Sequence, residues 1–130
     1  MDTLKLNIVT PNGEIFNNDI NSVTLPGSDG EFGVLPGHAA LVSLLSAGVI
    51  EIEKTSGKKE LVAVNWGYCN VSEAEVTVLA DGAIAILGDS ESEVANAISK
   101  AKELIKSISD SNIAIATVEA KLESAGRNLI

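Results

Sequence analysis

Cysteine, histidine, proline and aromatics are scarce in this chain of 130 residues, with 1 Cys, 1 His, 3 Pro, 2 Phe, 1 Trp and 1 Tyr. Cys69 has no partner for an internal disulfide, and Cys69 with His38 is too small a donor set for an ordinary zinc site. Disulfide scaffolds and zinc fingers are excluded. Basic groups are also few, 9 against 18 acidic ones, and the net charge of -9 repels phosphates and anionic headgroups. Direct binding to nucleic acid or to a membrane surface is therefore disfavoured. Long apolar runs are absent: the stretch from Ala39 to Ile50 is broken by Ser43, Ser46 and Gly48 and closed by Glu51, short of the ~20 residues a spanning helix needs. Met1 to Leu6 shows neither a basic region leading into an apolar stretch nor an arginine-rich start, so no secretory signal or transit peptide is expected. The chain is expected to be soluble, with membrane association only through partners.

The chain does have 45% hydrophobic residues, enough for a packed core. Up to Gly88 short alternating segments are punctuated by Gly, Pro, Asn and Asp, which reads as several antiparallel strands. Leu4, Leu6 and Ile8 alternate with Lys5 and Asn7, and Thr10-Pro11-Asn12-Gly13 is a tight turn into a strand at Glu14 to Phe16. Further strands are expected at Ser22 to Leu25, at Ala40 to Leu45 as one buried on both faces, and at Ile50 to Glu53. After a turn at Ser56-Gly57-Lys58, Leu61 to Trp66 should place Val62, Val64 and Trp66 on one face. Val76 to Ala80 and Ala83 to Leu87, joined by Asp81-Gly82, make another hairpin. Together these predict a flattened β-sandwich or barrel of eight to ten short strands.

After Gly88 the period changes. Ser90 with Glu93 is a candidate capping box, and Val94, Ile98, Ala101, Ile105 and Ile108 recur at helical spacing. Asp110-Ser111-Asn112 offers a turn, and Ile115, Val118, Leu122, Ala125 and Leu129 form a second stripe. The expected architecture is β followed by α: a sandwich domain over residues 1–88 and an antiparallel helical hairpin over 89–130. The charge changes there too, with 4 basic and 11 acidic groups before residue 89 and 5 and 7 after it. A hairpin this rich in alanine buries little area per residue and must dock on the sandwich or on a partner.

Catalytic chemistry is not evident. Gly27, Gly30, Gly33 and Gly37 suggest a phosphate loop, but no Gly-Lys-Ser/Thr follows, and Asp29 and Glu31 would repel an anion. His38 lacks a nucleophile motif and reads as a structural or interface residue. The pairs Asp29/Glu31 and Glu51/Glu53 have the spacing of two that a glycosidase or metal pair could use, although solvated surface carboxylates are the simpler reading. Cys69 has no neighbouring basic residue to lower its pKa and reads as a buried thiol. Trp66 and Tyr68 could stack on a sugar or base, but core and rim positions are expected. These residues describe a non-enzymatic interaction or regulatory module, with a ligand-binding sandwich as the competing class and no cofactor or metal expected.

The string Gly27-Ser-Asp-Gly-Glu-Phe-Gly-Val-Leu-Pro-Gly-His-Ala39, then Leu41, Leu44 and Gly48-Val-Ile-Glu-Ile52, closely resembles the signature of the F-type ATP synthase epsilon subunit, as does Val76 to Asp81. The resemblance spans the whole chain and implies a non-catalytic subunit of the F1 central stalk, bound to the gamma subunit and resting on the c ring. It implies a peripheral position on the cytoplasmic side of the bacterial inner membrane, and a role in coupling gamma to the ring during proton-driven rotation. By motif position, Glu31 falls in a loop facing the c ring and His38 on the surface meeting gamma, while Gly27, Gly30, Gly33, Pro36 and Gly37 shape the loop. In some relatives the hairpin binds ATP, or extends into the alpha/beta head and blocks hydrolysis. Here the nucleotide pattern falls on Ser92 to Ala97, with Glu93 in its acidic position and Asn96 where the arginine should stand. The chain's one arginine is Arg127, so ATP is expected to bind weakly or not at all. Residues 112–130 carry Lys121 and Arg127 against Glu119 and Glu123, a neutral balance that gives little long-range pull toward an acidic loop of the catalytic beta subunit. Weak inhibition at most is expected.

Overall fold

The computed structural model describes residues 3–86 and 91–106. Among these are nine strands followed by one helix. β1 (Leu4–Thr10) and β2 (Gly13–Gly27) form an antiparallel pair around the expected turn. Gly13 takes φ +130°, and Thr10 Oγ1 donates to Gly13 O (3.1 Å) while accepting from Asn12 N–H (3.2 Å). Only glycine adopts such a φ cheaply.

The segments expected as separate strands at Glu14 to Phe16 and Ser22 to Leu25 are one strand of 15 residues. Its register slips opposite Ile8/Val9 and again between Ile20 and Ser22, and these bulges let a single strand bend between layers. Asn21, the extra residue at the second slip, donates from Nδ2 to Lys54 O (3.1 Å). β3 (Gly30–Val34) then returns along β2 as a tight hairpin, so the glycine-rich segment expected as a loop is largely strand.

The remaining strands are β4 (Leu41–Leu45), β5 (Gly48–Lys54), β6 (Lys59–Val64), β7 (Gly67–Val71), β8 (Glu75–Ala80) and β9 (Ala83–Ile86). Their order is β1-β8-β7-β4-β2-β5-β6-β9, with β3 on β2 and β1 pairing back to β2. β1 and β8 run parallel. The chain crosses between the two layers of the sandwich at β4–β5, β6–β7 and β8–β9. Gly67 sits at one of these crossings; a Cβ there would collide with the carbonyl oxygen of Leu79 and come within 2.9 Å of Ala80 Cα.

Alternation fills the core. Leu4, Leu6 and Ile8 of β1, Val62 and Val64 of β6, Cys69 and Val71 of β7, and Val76 and Val78 of β8 point inward and are buried. Each such side chain contributes about 1.5–3 kcal/mol of burial free energy. Glu60 shares the inward parity of Val62 and Val64 and is only 8% exposed. Burial pushes its carboxyl pKa up, and the Lys54 ammonium offsets part of the rise.

Two sequence expectations fail in this region. The strand at Leu41–Leu45 is not buried on both faces, because Leu41, Val42 and Leu44 are exposed. Trp66 does not share the face of Val62 and Val64, because the chain leaves β6 at Asn65 and changes layer.

α1 (Glu91–Lys106) lies against β9 and β6. The outer faces of β5, β6 and β9 present Val49, Leu61, Ala63 and Ile86, all buried yet outside the main core cluster. This is a second apolar layer. Ile98 is half-buried as the helical stripe predicted, but Leu104, which the stripe omitted, meets Gly82 in the β8–β9 turn. A Cβ on Gly82 would stand 3.1 Å from Leu104 Cδ1 and 2.9 Å from Asn65 Nδ2, so the absent side chain makes the seat for the helix. The Ser90 cap, the boundary at Gly88 and the second helix of the expected hairpin lie outside the described residues.

Candidate partner-docking surface

β4, β7, β8 and β1 are consecutive in the sheet, and residues facing each other across them form rows. Leu44, Tyr68, Leu79 and Val9 make one outward row, and Val42, Asn70, Thr77 and Asn7 the next. Tyr68 is 43% exposed, Leu44 67%, Val42 68% and Leu79 37%, a row-by-row exposure that scattered surface apolars do not give. Trp66 is 53% exposed and extends the patch. It lies two residues before Tyr68 on the same side, and its carbonyl still accepts from Asp81 N–H (3.0 Å). Five of the seven large exposed apolar residues among those described therefore share one face. Neither central row contains a charge; Lys5 opposite Glu75 closes one end, and exposed Asp81 stands beside Trp66 at the other. An uncharged centre with polar ends is the anatomy of a protein interface.

The acidic hairpin tip adjoins the Trp66 end. Gly27 pairs with Gly30 and Pro26 with Glu31, while Ser28 N–H donates to Leu44 O (2.9 Å) and Ser46 N–H to Pro26 O (2.9 Å). Gly30 takes φ +133°, and a Cβ on Gly27 would come within 2.6 Å of Gly30 O and 2.9 Å of the Phe32 ring. Asp29 and Glu31 are exposed at this tip. Gly33 has open space around it and no unusual backbone, so neither φ nor close approach requires glycine there.

The loop bearing His38 lies at the other end of β4. Gly37, at φ +88°, donates to Glu73 O (2.9 Å) and fastens the β3–β4 loop, with half-buried Pro36, to the β7–β8 turn. His38 is half-buried, its Nδ1 lies 2.7 Å from Ala39 O, and its N–H donates to Leu35 O (3.1 Å). The segments bearing Glu31 and His38 thus lie toward opposite ends of β4.

The other sequence candidates are not brought together. Glu51 and Glu53 alternate on one face of β5, opposite Leu61 and Lys59, and the described residues contain no group of three metal-binding side chains. Cys69 is fully buried and its thiol pKa is pushed up by that burial, with the backbone at Ser43 offsetting part of it. A thiolate nucleophile is disfavoured. Asn96 is exposed on α1, and the side chain of Glu93 lies outside the described residues.

Sequence reasoning missed Asn65 altogether. It is 3% exposed, and its Oδ1 accepts from both Trp66 N–H (2.8 Å) and Gly82 N–H (2.8 Å) while Nδ2 donates to Asp81 Oδ2 (3.1 Å). One amide ties the turn carrying Trp66 to the turn that seats Leu104. The expectation of core and rim for Trp66 and Tyr68 also fails, since both stand on the open face.

Residues 3–86 match the family described as ATP synthase, Delta/Epsilon chain, beta-sandwich domain. The chain is 63% identical over 128 residues to the ATP synthase epsilon chain of Wolinella succinogenes, covering 98% of each. It is 59% identical over 130 residues to that of Sulfurimonas denitrificans, covering 100% of each. The chain belongs to the ATP synthase epsilon-chain family. Among solved structures, a chain of the Euglena gracilis mitochondrial ATP synthase (OSCP/F1/c-ring) is similar in fold, with TM-score 0.63, 24% identity, and coverage of 95% of this chain and 74% of that one. A chain of the Tetrahymena thermophila mitochondrial ATP synthase central stalk and c-ring gives TM-score 0.53 at 12% identity, covering 80% and 94%. Epsilon chains are non-catalytic subunits of the ATP synthase.

Proposed function

We propose that this chain is the epsilon subunit of the F1 central stalk and couples the gamma subunit to the c ring during rotary ATP synthesis. The observation that carries this reading is the open apolar face of Val42, Leu44, Trp66, Tyr68 and Leu79, which fits the gamma subunit as its occupant. His38 borders that face, and Glu31 at the hairpin tip is assigned to the polar loops of the c ring. Gly27 and Gly30 hold the tip's shape, and Pro36 and Gly37 hold the loop beside His38. A sandwich closed by β1–β2 pairing resists shear, which suits a part that transmits torque. The names of the Euglena and Tetrahymena assemblies, which comprise F1 or central-stalk subunits together with a c-ring, support this placement. No helix among the described residues is long and apolar enough to cross a membrane, and we assign a peripheral position on the cytoplasmic side of the bacterial inner membrane, held through F1.

Residues 1–88 would supply the coupling domain and 89–130 a regulatory one. With a near-neutral second half and Asn96 in the arginine position, the C-terminal segment holds ATP weakly or not at all. It acts on the alpha/beta head as a weak brake at most, because favouring an extended state strongly takes several kcal/mol of differential contact. The test is co-elution of the full chain with an epsilon-free catalytic core containing gamma, followed by ATPase titration. Stable co-elution with at most a modest fall in hydrolysis is expected. Failure to bind a matched core refutes the reading, and severalfold activation on deleting residues 89–130 refutes the weak brake.

A further inference from the structure

We propose that Trp66 is the aromatic anchor of the docking surface, entering an apolar recess of the gamma subunit that also offers an acceptor to its indole N–H. This rests on the assignment of the face to gamma. A single exposed tryptophan needs no explanation, but Trp66 continues the row-forming patch of Leu44, Tyr68 and Leu79. Among the described residues nothing accepts from Trp66 Nε1–H; its hydrogen bonds are backbone ones, from its N–H to Asn65 Oδ1 (2.8 Å) and to its carbonyl from Asp81 N–H (3.0 Å). Those two bonds clamp the backbone on both sides, and buried Asn65 is itself fixed by Gly82 N–H and Asp81. The indole is therefore presented from a fixed backbone corner, so binding has only its side-chain rotation left to order. Tryptophan is also among the residue types enriched at positions that dominate interface energetics.

Its location separates it from the rest of the patch. Val42 and Leu44 lie on a strand and Tyr68 and Leu79 in mid-sheet, whereas Trp66 stands at the layer crossing, on the side where Ser28 of the acidic hairpin donates to Leu44 O and Ser46 donates to Pro26 O. A subunit seated on the apolar rows reaches Trp66 last, beside the tip proposed to face the c ring. The anchor therefore fixes the angle of the sandwich on gamma, and with it the placement of Glu31.

Trp66 is the chain's one tryptophan, so its fluorescence reports the contact directly. The full chain is titrated with an epsilon-free core whose own tryptophans have been replaced by phenylalanine. The expected result is a blue shift and loss of acrylamide quenching that saturate with binding, together with about 30-fold weaker binding by Trp66→Ala and a smaller loss for Trp66→Phe. Circular dichroism checks that both variants are folded. Unchanged emission in a confirmed complex, or Trp66→Ala binding within threefold of the parent, overturns the anchor while leaving gamma binding intact. A parent chain that does not bind at all refutes the docking assignment and the anchor with it. An emission shift that follows the chain's own concentration without gamma gives the face to a second copy and also overturns the proposal.

Discussion

Replacing Asn65 by alanine tests whether one buried amide holds the corner of the sandwich. The substitution strips the acceptor from Trp66 N–H and Gly82 N–H, each 2.8 Å away, and removes the donor to Asp81 at 3.1 Å. An unsatisfied buried backbone donor costs about 1–3 kcal/mol. These bonds are partly buried, so water will relieve some of that, and the two donors together should cost about 2–4 kcal/mol. For a chain of this size that lowers Tm by about 8–15 °C. Urea unfolding, followed by Trp66 fluorescence and by far-ultraviolet circular dichroism, measures the change. A loss below about 1 kcal/mol with an unchanged denaturant slope would refute the role of Asn65 as a cross-link between turns. Asn65→Asp sharpens the test, since it keeps an acceptor but turns a second carboxylate oxygen toward Asp81. Repulsion raises a carboxyl pKa in the folded state, so the folded form binds a proton more tightly than the unfolded one. That variant should lose stability at neutral pH and regain it as the pH falls toward 4, whereas Asn65→Ala should show no such recovery.

Glu60→Gln should stabilise the chain at neutral pH. The parent's folded-state pKa is raised, so the penalty of ionising Glu60 is present above that pKa and vanishes as the pH falls below the unfolded value near 4.5; the advantage of the amide should shrink over the same window in parallel urea titrations. Gly82→Val should push Leu104 off its seat and speed amide exchange along α1 while leaving β1 and β8 protected; unchanged α1 protection would disprove the seat. Gly67→Ala should destabilise by about 1–3 kcal/mol, because its methyl group meets the Leu79 carbonyl across two paired strands, and a thermal melt overlaying the parent's would count against it. Calorimetric titration with ATP should give no saturable heat at micromolar chain concentration, and a micromolar dissociation constant would overturn the weak-binding expectation.

Much of the strand pattern was legible in the sequence because its causes are local. The Thr10 to Gly13 turn, the inward alternation of Leu4, Leu6 and Ile8, and the helical spacing that begins after residue 90 each depend on residues within a few positions of one another. The merging of two expected strands into β2 was not legible, since bulges opposite Ile8/Val9 and at Asn21 depend on partners far along the chain. Nor was β7: Gly67-Tyr68-Cys69-Asn70-Val71 has a weak apolar signal and is held as a strand by β4 and β8 on either side.

By itself the sequence determined what this chain cannot be and which family it resembles, because composition excludes zinc and disulfide scaffolds and the glycine-rich string is specific in its spacing. Only the tertiary structure decided which apolar residues are left uncovered. Leu41 to Leu45 is apolar at four of five positions, so its pattern could not say that the side bearing Val42 and Leu44 faces open space. Burial is a property of what the other strands place against a face, and for β4, Trp66 and Tyr68 those strands leave it bare. Asn65 shows the same dependence: its three partners gather only when the β6–β7 and β8–β9 crossings meet at one corner.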